Sequence, residues 1–292
     1  MVIVLFIIAT ASFFLMRFAP GGPFDKERTL PEAVEKNLRA KYHLDRPLAV
    51  QYIIYMGGLV RGDLGPSFKY RNRSVNTIIA QSFPISLTLG IYALSLAFIV
   101  GVSAGTFAAV NKHSALDYAT MSITLLGISL PNFFLGLILL LLFCFELPLF
   151  QAAGWGRPGQ MVLPILTLAA PFTAYIARLM RASMLDVLSQ PYIRTARAKG
   201  LSEFQVVSRH ALKNAITPIV SFMGPAAAAV LTGSIVIEKI FAIPGLGTHF
   251  VNAALNRDYT LVMGTVLLYS FLLVLFNLAV DIVYSFIDPR VK

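Results

Sequence analysis

The chain has 292 residues, of which 57% are hydrophobic and only 13% charged, and its formal net charge is +10. A mean hydropathy of +0.73 excludes a water-soluble globule, whose surface must be largely polar. The apolar runs are too long and too continuous for barrel strands of about ten alternating residues, so an all-α polytopic membrane protein is expected.

A membrane-crossing helix needs roughly 20 mostly apolar residues. Six stretches meet or approach that: residues 1–18, 86–110, 118–147, 162–180, 215–237 and 261–287. The first lacks the basic residues that precede a secretory signal's apolar core, although Ala9 and Ala11 resemble a cleavage site. Arg17 can snorkel to the interface, so residues 1–18 are expected to be an uncleaved transmembrane helix.

Residues 19–85 are read as an extracytoplasmic segment with short helices. They hold ten Lys or Arg, but a segment this long crosses the membrane regardless of its charge. Thr29 and Glu32 have capping-box spacing, and Leu30, Val34, Leu38 and Tyr42 repeat on one helical face. A second apolar run covers Leu48 to Val60. The segment fits two roles: a docking or lid element, or an interfacial cap over helix ends.

In the second span Gly101, Ser103 and Gly105 spell GxSxG. A nucleophile elbow requires a strand turning into a helix, whereas this triplet is mid-span, so the two glycines read as a surface for close helix packing. In the third span Pro131 can bend the helix, and Ser129, Pro131 and Phe133 are candidates for lining a pathway. Pro164, Pro171, Pro218 and Pro225 are further potential kinks. Few charges lie at depth: Arg178, Glu238 and Asp281, all near span ends. That scarcity argues against a proton-relay transporter.

Short basic loops are retained in the cytoplasm. Lys112 marks the loop between spans two and three; Arg181, Arg194, Arg197, Lys199, Arg209 and Lys213 mark the loop between four and five; Arg290 and Lys292 follow span six. Both termini are therefore expected inside. The loop over residues 181–213 reads as two short helices: Pro191 suits a first-turn position, Gly200 a helix stop, and Ser202 with Gln205 a capping box. Thr195, Ala196 and Ala198 are small enough for another protein surface to approach, and Arg194, Arg197 and Lys199 surround them with charge. Attraction of these cations to anionic lipid is the plainer account. An element this short, tethered at both ends, is a poor DNA reader, and no nucleic-acid partner is expected.

Catalytic and metal-binding signatures are missing from the sequence. There is no GxxxxGK[ST], no HExxH, and a single cysteine, Cys144, which precludes an internal disulfide.

The stretch RTARAKGL followed by RHALKNAITP resembles the cytoplasmic EAA loop of bacterial ABC importer permeases. Arg194, Thr195 and Ala196 stand at the EAA positions, Gly200 is in register, and His210, Leu212 and Lys213 occupy the later ones. MRFAPGGPF, GDLGPSF, GSIVIEKIFAIPGLG, the terminal DIVYSFIDPR and ERTLPEAVEKNLRAKYHLDRPL extend the likeness along nearly the whole chain. Together they resemble the B-type membrane subunit of oligopeptide permeases, within the peptide and nickel permease branch. The sequence departs from the pattern in the EAA glutamate, in the final proline of the loop, and in the short basic lead at the N-terminus.

The resemblance implies a six-helix, type I importer subunit of the bacterial inner membrane, with residues 86–292 as its permease core. It implies a second, homologous permease, two cytoplasmic ATPase subunits that bind ATP and Mg, an extracytoplasmic peptide-binding protein and a peptide substrate. No cofactor is expected on this chain itself. The helix from Pro191 to Gly200 would be the element through which an ATPase moves the spans, with Arg194, Thr195, Ala196, Arg197, Lys199, Gly200 and Arg209 in contact. Glu238, Ile243, Pro244, Gly245 and Gly247 would form an external gate or meet the binding protein; a simple turn is the alternative. Dipeptide or nickel import is the neighbouring reading. A self-contained secondary transporter would need more spans and an internal repeat, and none is visible between residues 1–150 and 151–292.

Overall fold

A computed structural model describes residues 1–18, 36–37, 39–40, 42–70 and 72–287, with the backbone alone at 231–233, 280–281 and 283–287. Its elements are α1 (Val2–Phe18), α2 (Leu48–Val60), α3 (Val75–Val110), α4 (Ala115–Ser129), α5 (Asn132–Leu140, continued by a π-helical turn over Leu141–Glu146), α6 (Pro158–Leu188), α7 (Pro191–Ala198), α8 (Thr217–Ile240), α9 (Leu246–Asn256) and α10 (Tyr259–Ile287). Between α7 and α8 lie Glu203–Gln205, a second π-helical turn over Val206–Ala211, and Leu212–Ala215. The capping pattern at Thr29 and Glu32, and the basic residues Arg290 and Lys292, lie outside the described residues.

The architecture is helical, as expected, but the spans are not six unbroken helices. Three described helices are long and apolar enough to cross a membrane: α3, α6 and α10. The α4–α5 pair meets that test only as a unit, bent by 104°. α8 passes only as two segments with a bend between them, and α1 is 17 residues long. The bend at the third span has a local cause. The ring of Pro131 crowds the residue before it out of helical geometry, and Leu130 is extended at φ −95°, ψ 132°. The second span also starts earlier than its apolar run, at Val75, because the Ser74 hydroxyl accepts the Thr77 N–H at 3.1 Å and so caps the polar first turns.

The chain divides into two compact units. One comprises Met1–Ile85 with Pro244–Leu272, the other Ser86–Ile243 with Leu273–Lys292.

In the first unit α1 and α2 are joined by rings. Phe13 is buried and lies 5.4 Å from Tyr52 and 5.5 Å from Tyr55, while the Thr10 and Tyr52 hydroxyls are 2.8 Å apart. Val75, Ile78, Ala253, Leu261 and Val262 form its apolar core. Asp258 is fully buried and takes the Ser67 hydroxyl, the Phe68 N–H at 3.1 Å and the Leu261 N–H at 3.3 Å. One carboxylate thus caps α10 and clasps the loop GDLGPSF.

In the second unit α6 is central. It packs against α4, α5 and α8, and ten of its residues are buried, among them Ile176, Met180 and Met184. Lipid tails are as apolar as leucine, so close van der Waals contact rather than escape from water holds such helices together. Gly101 and Gly105 supply that contact. A Cβ at Gly101 would fall 2.8 Å from the Ile176 side chain, and one at Gly105 would press on the Ala177 carbonyl and lie 2.7 Å from Met180 Cβ. The GxSxG triplet is a packing surface, with Ser103 exposed beside it.

Candidate functional site

The loop between α6 and α8 folds as its residues dictate. Pro191, lacking an N–H, opens α7 where no hydrogen bond is required. Gly200 ends the turn at φ +79°, a conformation that favours glycine. Ser202 then caps the next turn reciprocally with Gln205, through bonds of 3.1 and 3.4 Å.

Of the residues expected to meet a motor, Arg194, Thr195, Arg197, Lys199, Gly200 and Arg209 are exposed. Ala196 is not. With Ile193 it is buried, 6% and 0% exposed respectively, and α7 packs on the turn at Val206–Ala211. Helical spacing explains the difference, since residues three apart share a face and the apolar pair at 193 and 196 turns inward. The small-residue track is open only at Thr195 and Ala198.

Arg197 is likewise not a free cation. Its Nε and Nη2 donate to Glu203 at 3.1 and 2.6 Å. That bonding holds the Glu203 carboxyl below its ordinary range and pushes the guanidinium up. The pair is half exposed, at 42% and 49%, so it contributes about 0–1 kcal/mol; its main effect is geometric, tying α7 to the next turn. Tyr192 braces the other side by accepting from Asn214 Nδ2 at 2.8 Å. Arg194, Lys199 and Arg209 make no ion pair among the described residues.

Two further features were not anticipated from the sequence. Phe204 is 80% exposed beside the Arg197–Glu203 pair, on the same short connection. On the stem, Arg181 grips Asp117 with both Nε and Nη2, at 2.7 and 2.6 Å. Asp117 is buried at 1% exposure and also accepts the His113 N–H at 3.0 Å. The helix α6 that leads into α7 is thereby bolted to the start of α4.

The stretch expected as an external gate is mostly inside the protein. Glu238 is fully buried, and its Oε1 accepts from Ser86 at 2.6 Å and Ser234 at 2.9 Å. A buried carboxylate needs such donors, and one held this way offers no surface to a docking protein. Ile243 is buried and donates its N–H to the Glu238 carbonyl at 2.8 Å. In the other unit Gly245 and Gly247 are buried at the start of α9, and Pro244 is exposed. Ser129, Pro131 and Phe133 are exposed at the α4–α5 bend. Asp281 lies where only the backbone is described, and Arg178 is exposed on α6. Among the described residues no group of His, Cys, Asp and Glu could hold a metal ion.

Long apolar helices, with a short basic helix on a braced helical stem, are those of a polytopic membrane protein. The chain belongs to the family of binding-protein-dependent transport system inner membrane components, which it matches over residues 101–292. It is 48% identical to the Haemophilus influenzae oligopeptide transport system permease protein OppB over 99% of this chain and 95% of that one. To the Bacillus subtilis dipeptide transport system permease protein DppB it is 49% identical, over 98% and 93%. Its fold is similar to that of the inward-facing MetNI methionine ABC transporter, with a TM-score of 0.61 at 18% identity over 72% of this chain and 96% of that one.

Proposed function

We propose that this chain is the membrane-spanning permease subunit of an ATP-driven importer that passes oligopeptides from an extracytoplasmic binding protein to the cytoplasm by alternating access. The observation that carries the reading is its 48% identity to an oligopeptide permease over 99% of its length. In this reading residues 181–213 and both termini face the cytoplasm, and residues 19–85 face outward. ATP and Mg act on two partner ATPases, and a second permease completes the pathway.

The exposed face of α7, carrying Arg194, Thr195 and Lys199, docks on an ATPase, and Ile193 and Ala196 fasten that helix to its own chain. Moving a two-state transporter from 1:99 to 99:1 takes about 5.5 kcal/mol of differential binding, far more than a few exposed ion pairs of about 0–1 kcal/mol supply. Closure of the ATPases does the work, and the braced stem transmits it. Dipeptide import is the second reading, favoured by the 49% identity to a dipeptide permease.

The test is uptake of labelled di-, tri- and pentapeptides into vesicles holding the complete transporter, with and without ATP. ATP-dependent accumulation of the longer peptides supports the first reading, and of dipeptides alone the second. Uptake by this chain alone, driven by a proton gradient, overturns both.

A further inference from the structure

A cavity of about 310 Å³ opens in the first unit, bordered by α1, α2 and the loop before α3. It lies within the range of ligand pockets, roughly 300–1,000 Å³, and is far larger than the space one water needs. Its wall carries both signs of charge. Arg17, in the last turn of α1, holds its guanidinium 5.2 Å from the ring centroid of Phe13 and has no ion-pair partner among the described residues. Asp63 lines the same cavity, with one carboxylate oxygen accepting the Gly65 N–H at 2.9 Å.

Two of the residues that border it each carry a buried polar atom without a hydrogen-bond partner among the described residues: Gln51 its Oε1 and Tyr55 its hydroxyl. The Gln51 amide nitrogen is committed to the Arg46 and Leu44 carbonyls at 2.8 and 3.4 Å, which leaves its oxygen as an acceptor needing a donor. Buried polar groups are rarely left unpaired, because each forfeits its water without compensation. The cavity thus offers a cation and a hydroxyl for an oxyanion, and a carboxylate and an amide oxygen for an ammonium.

We propose that this cavity is a binding site for the headgroup of a zwitterionic phospholipid bearing a primary ammonium, a phosphoethanolamine. Its phosphate sits against Arg17 and the Tyr55 hydroxyl, and its ammonium donates to Asp63 and Gln51 Oε1. A lipid is favoured over a free peptide end by the surroundings. Leu15 and Phe18 on α1 are 67% and 75% exposed, and Ile53 and Val60 on α2 are 68% and 88% exposed, giving apolar surface for acyl chains beside the polar cavity. A cationic side chain at the end of an apolar helix also belongs at headgroup depth. The site rests on residence in a bilayer, and on neither the motor nor the sidedness of the proposed importer.

The test is native mass spectrometry of the full chain purified with its partner subunits, delipidated and then offered phosphatidylethanolamine, phosphatidylcholine or phosphatidylglycerol. Phosphatidylethanolamine should be retained about tenfold better than phosphatidylcholine, whose quaternary ammonium cannot donate hydrogen bonds. Asp63→Asn should erase that preference, whereas Arg17→Gln, on the phosphate that both lipids share, should lower the retention of both, and Arg17→Lys should keep much of it. Equal retention of the two lipids overturns the proposal, as does preference for phosphatidylglycerol, which would mark a simple anion site. Displacement of the lipid by a free tripeptide overturns it in favour of a peptide site. If a variant does not assemble, the wild-type comparison of the two lipids decides alone.

Discussion

Asp117 and Arg181 lie 64 residues apart and meet in a two-pronged ion pair with contacts of 2.7 and 2.6 Å, which ties the start of α4 to α6, the stem of α7. Asp117 is nearly inaccessible and Arg181 is 26% exposed. Removing one partner of a buried pair strands the other charge and costs 3–5 kcal/mol; with a partly exposed arginine about 3 kcal/mol is expected. Arg181→Gln should therefore lower the thermal midpoint of the purified transporter markedly. The double variant Arg181→Gln with Asp117→Asn should be less damaging than the single changes added together, since it leaves no orphan charge. Simple additivity would show that the pair carries no coupling.

Ala196 is expected to be the most sensitive position in α7, through packing on its own chain. At 6% exposure beside the fully buried Ile193, it has no room for a larger side chain, and overpacking costs about 1–3 kcal/mol. Ala196→Leu should lower both the thermal midpoint and the peptide taken up per ATP hydrolysed. Arg194→Ala, on the exposed face, should leave the midpoint unchanged and affect coupling less. Uptake per ATP and thermal melts of both variants decide the order.

Local chemistry made much of this legible in the sequence. Pro191, Gly200 and the Ser202–Gln205 pair act within a few residues of themselves, so their spacing sufficed to outline α7 and the capped turn after it. The apolar run from Leu48 to Val60 coincides with α2 for the same reason, and Gly101 with Gly105 revealed close packing before the partner was known. The rest depends on contacts distant in sequence. Glu238 reads as a charge at a span end until Ser86, 152 residues away, is seen to hold it inside. Arg181 reads as one of several retained cations until Asp117 is placed against it. Pro131 announced a bend, but a proline's position does not fix an angle, and the 104° emerged only with the structure.

Phe204 should be an anchor for the ATPase. An aromatic ring that is 80% exposed contributes little to folding, so Phe204→Ala should change stability by less than about 0.5 kcal/mol. Interface aromatics that fill a pocket carry about 2 kcal/mol or more, which is roughly a thirtyfold loss of affinity. Titrating purified ATPase subunits onto permease in nanodiscs measures it. Unchanged affinity would remove Phe204 from the docking surface.

Gly105 should tolerate no side chain. A Cβ there meets the Ala177 carbonyl and Met180 Cβ of α6, and both belong to a helix that cannot yield without moving the stem of α7. Gly105→Val should reduce assembled transporter in the membrane several-fold, as overpacking of a tight contact does. Ser103→Ala, on the exposed side, should leave both assembly and transport intact. Loss of transport in Ser103→Ala with normal assembly would reopen a chemical role for the triplet.

His249 should make the first unit sensitive to acid. Burial, reinforced by nearby Arg73, holds its imidazole below the ordinary value of 6.5, and Nδ1 lies 3.2 Å from the Tyr70 hydroxyl. The unfolded chain then takes up the proton at a higher pH than the folded one does. The contribution of neutral His249 is therefore complete above pH 6.5 and is lost as the pH falls through the lowered folded value. His249→Gln keeps a polar side chain but cannot titrate. Wild type should melt above this variant at pH 7.5, and the gap should shrink or reverse at pH 5, because only the wild type must then accept a buried charge. Other titrating groups are common to both proteins and cancel in the comparison. A gap that is the same at both pH values would place the acid sensitivity elsewhere.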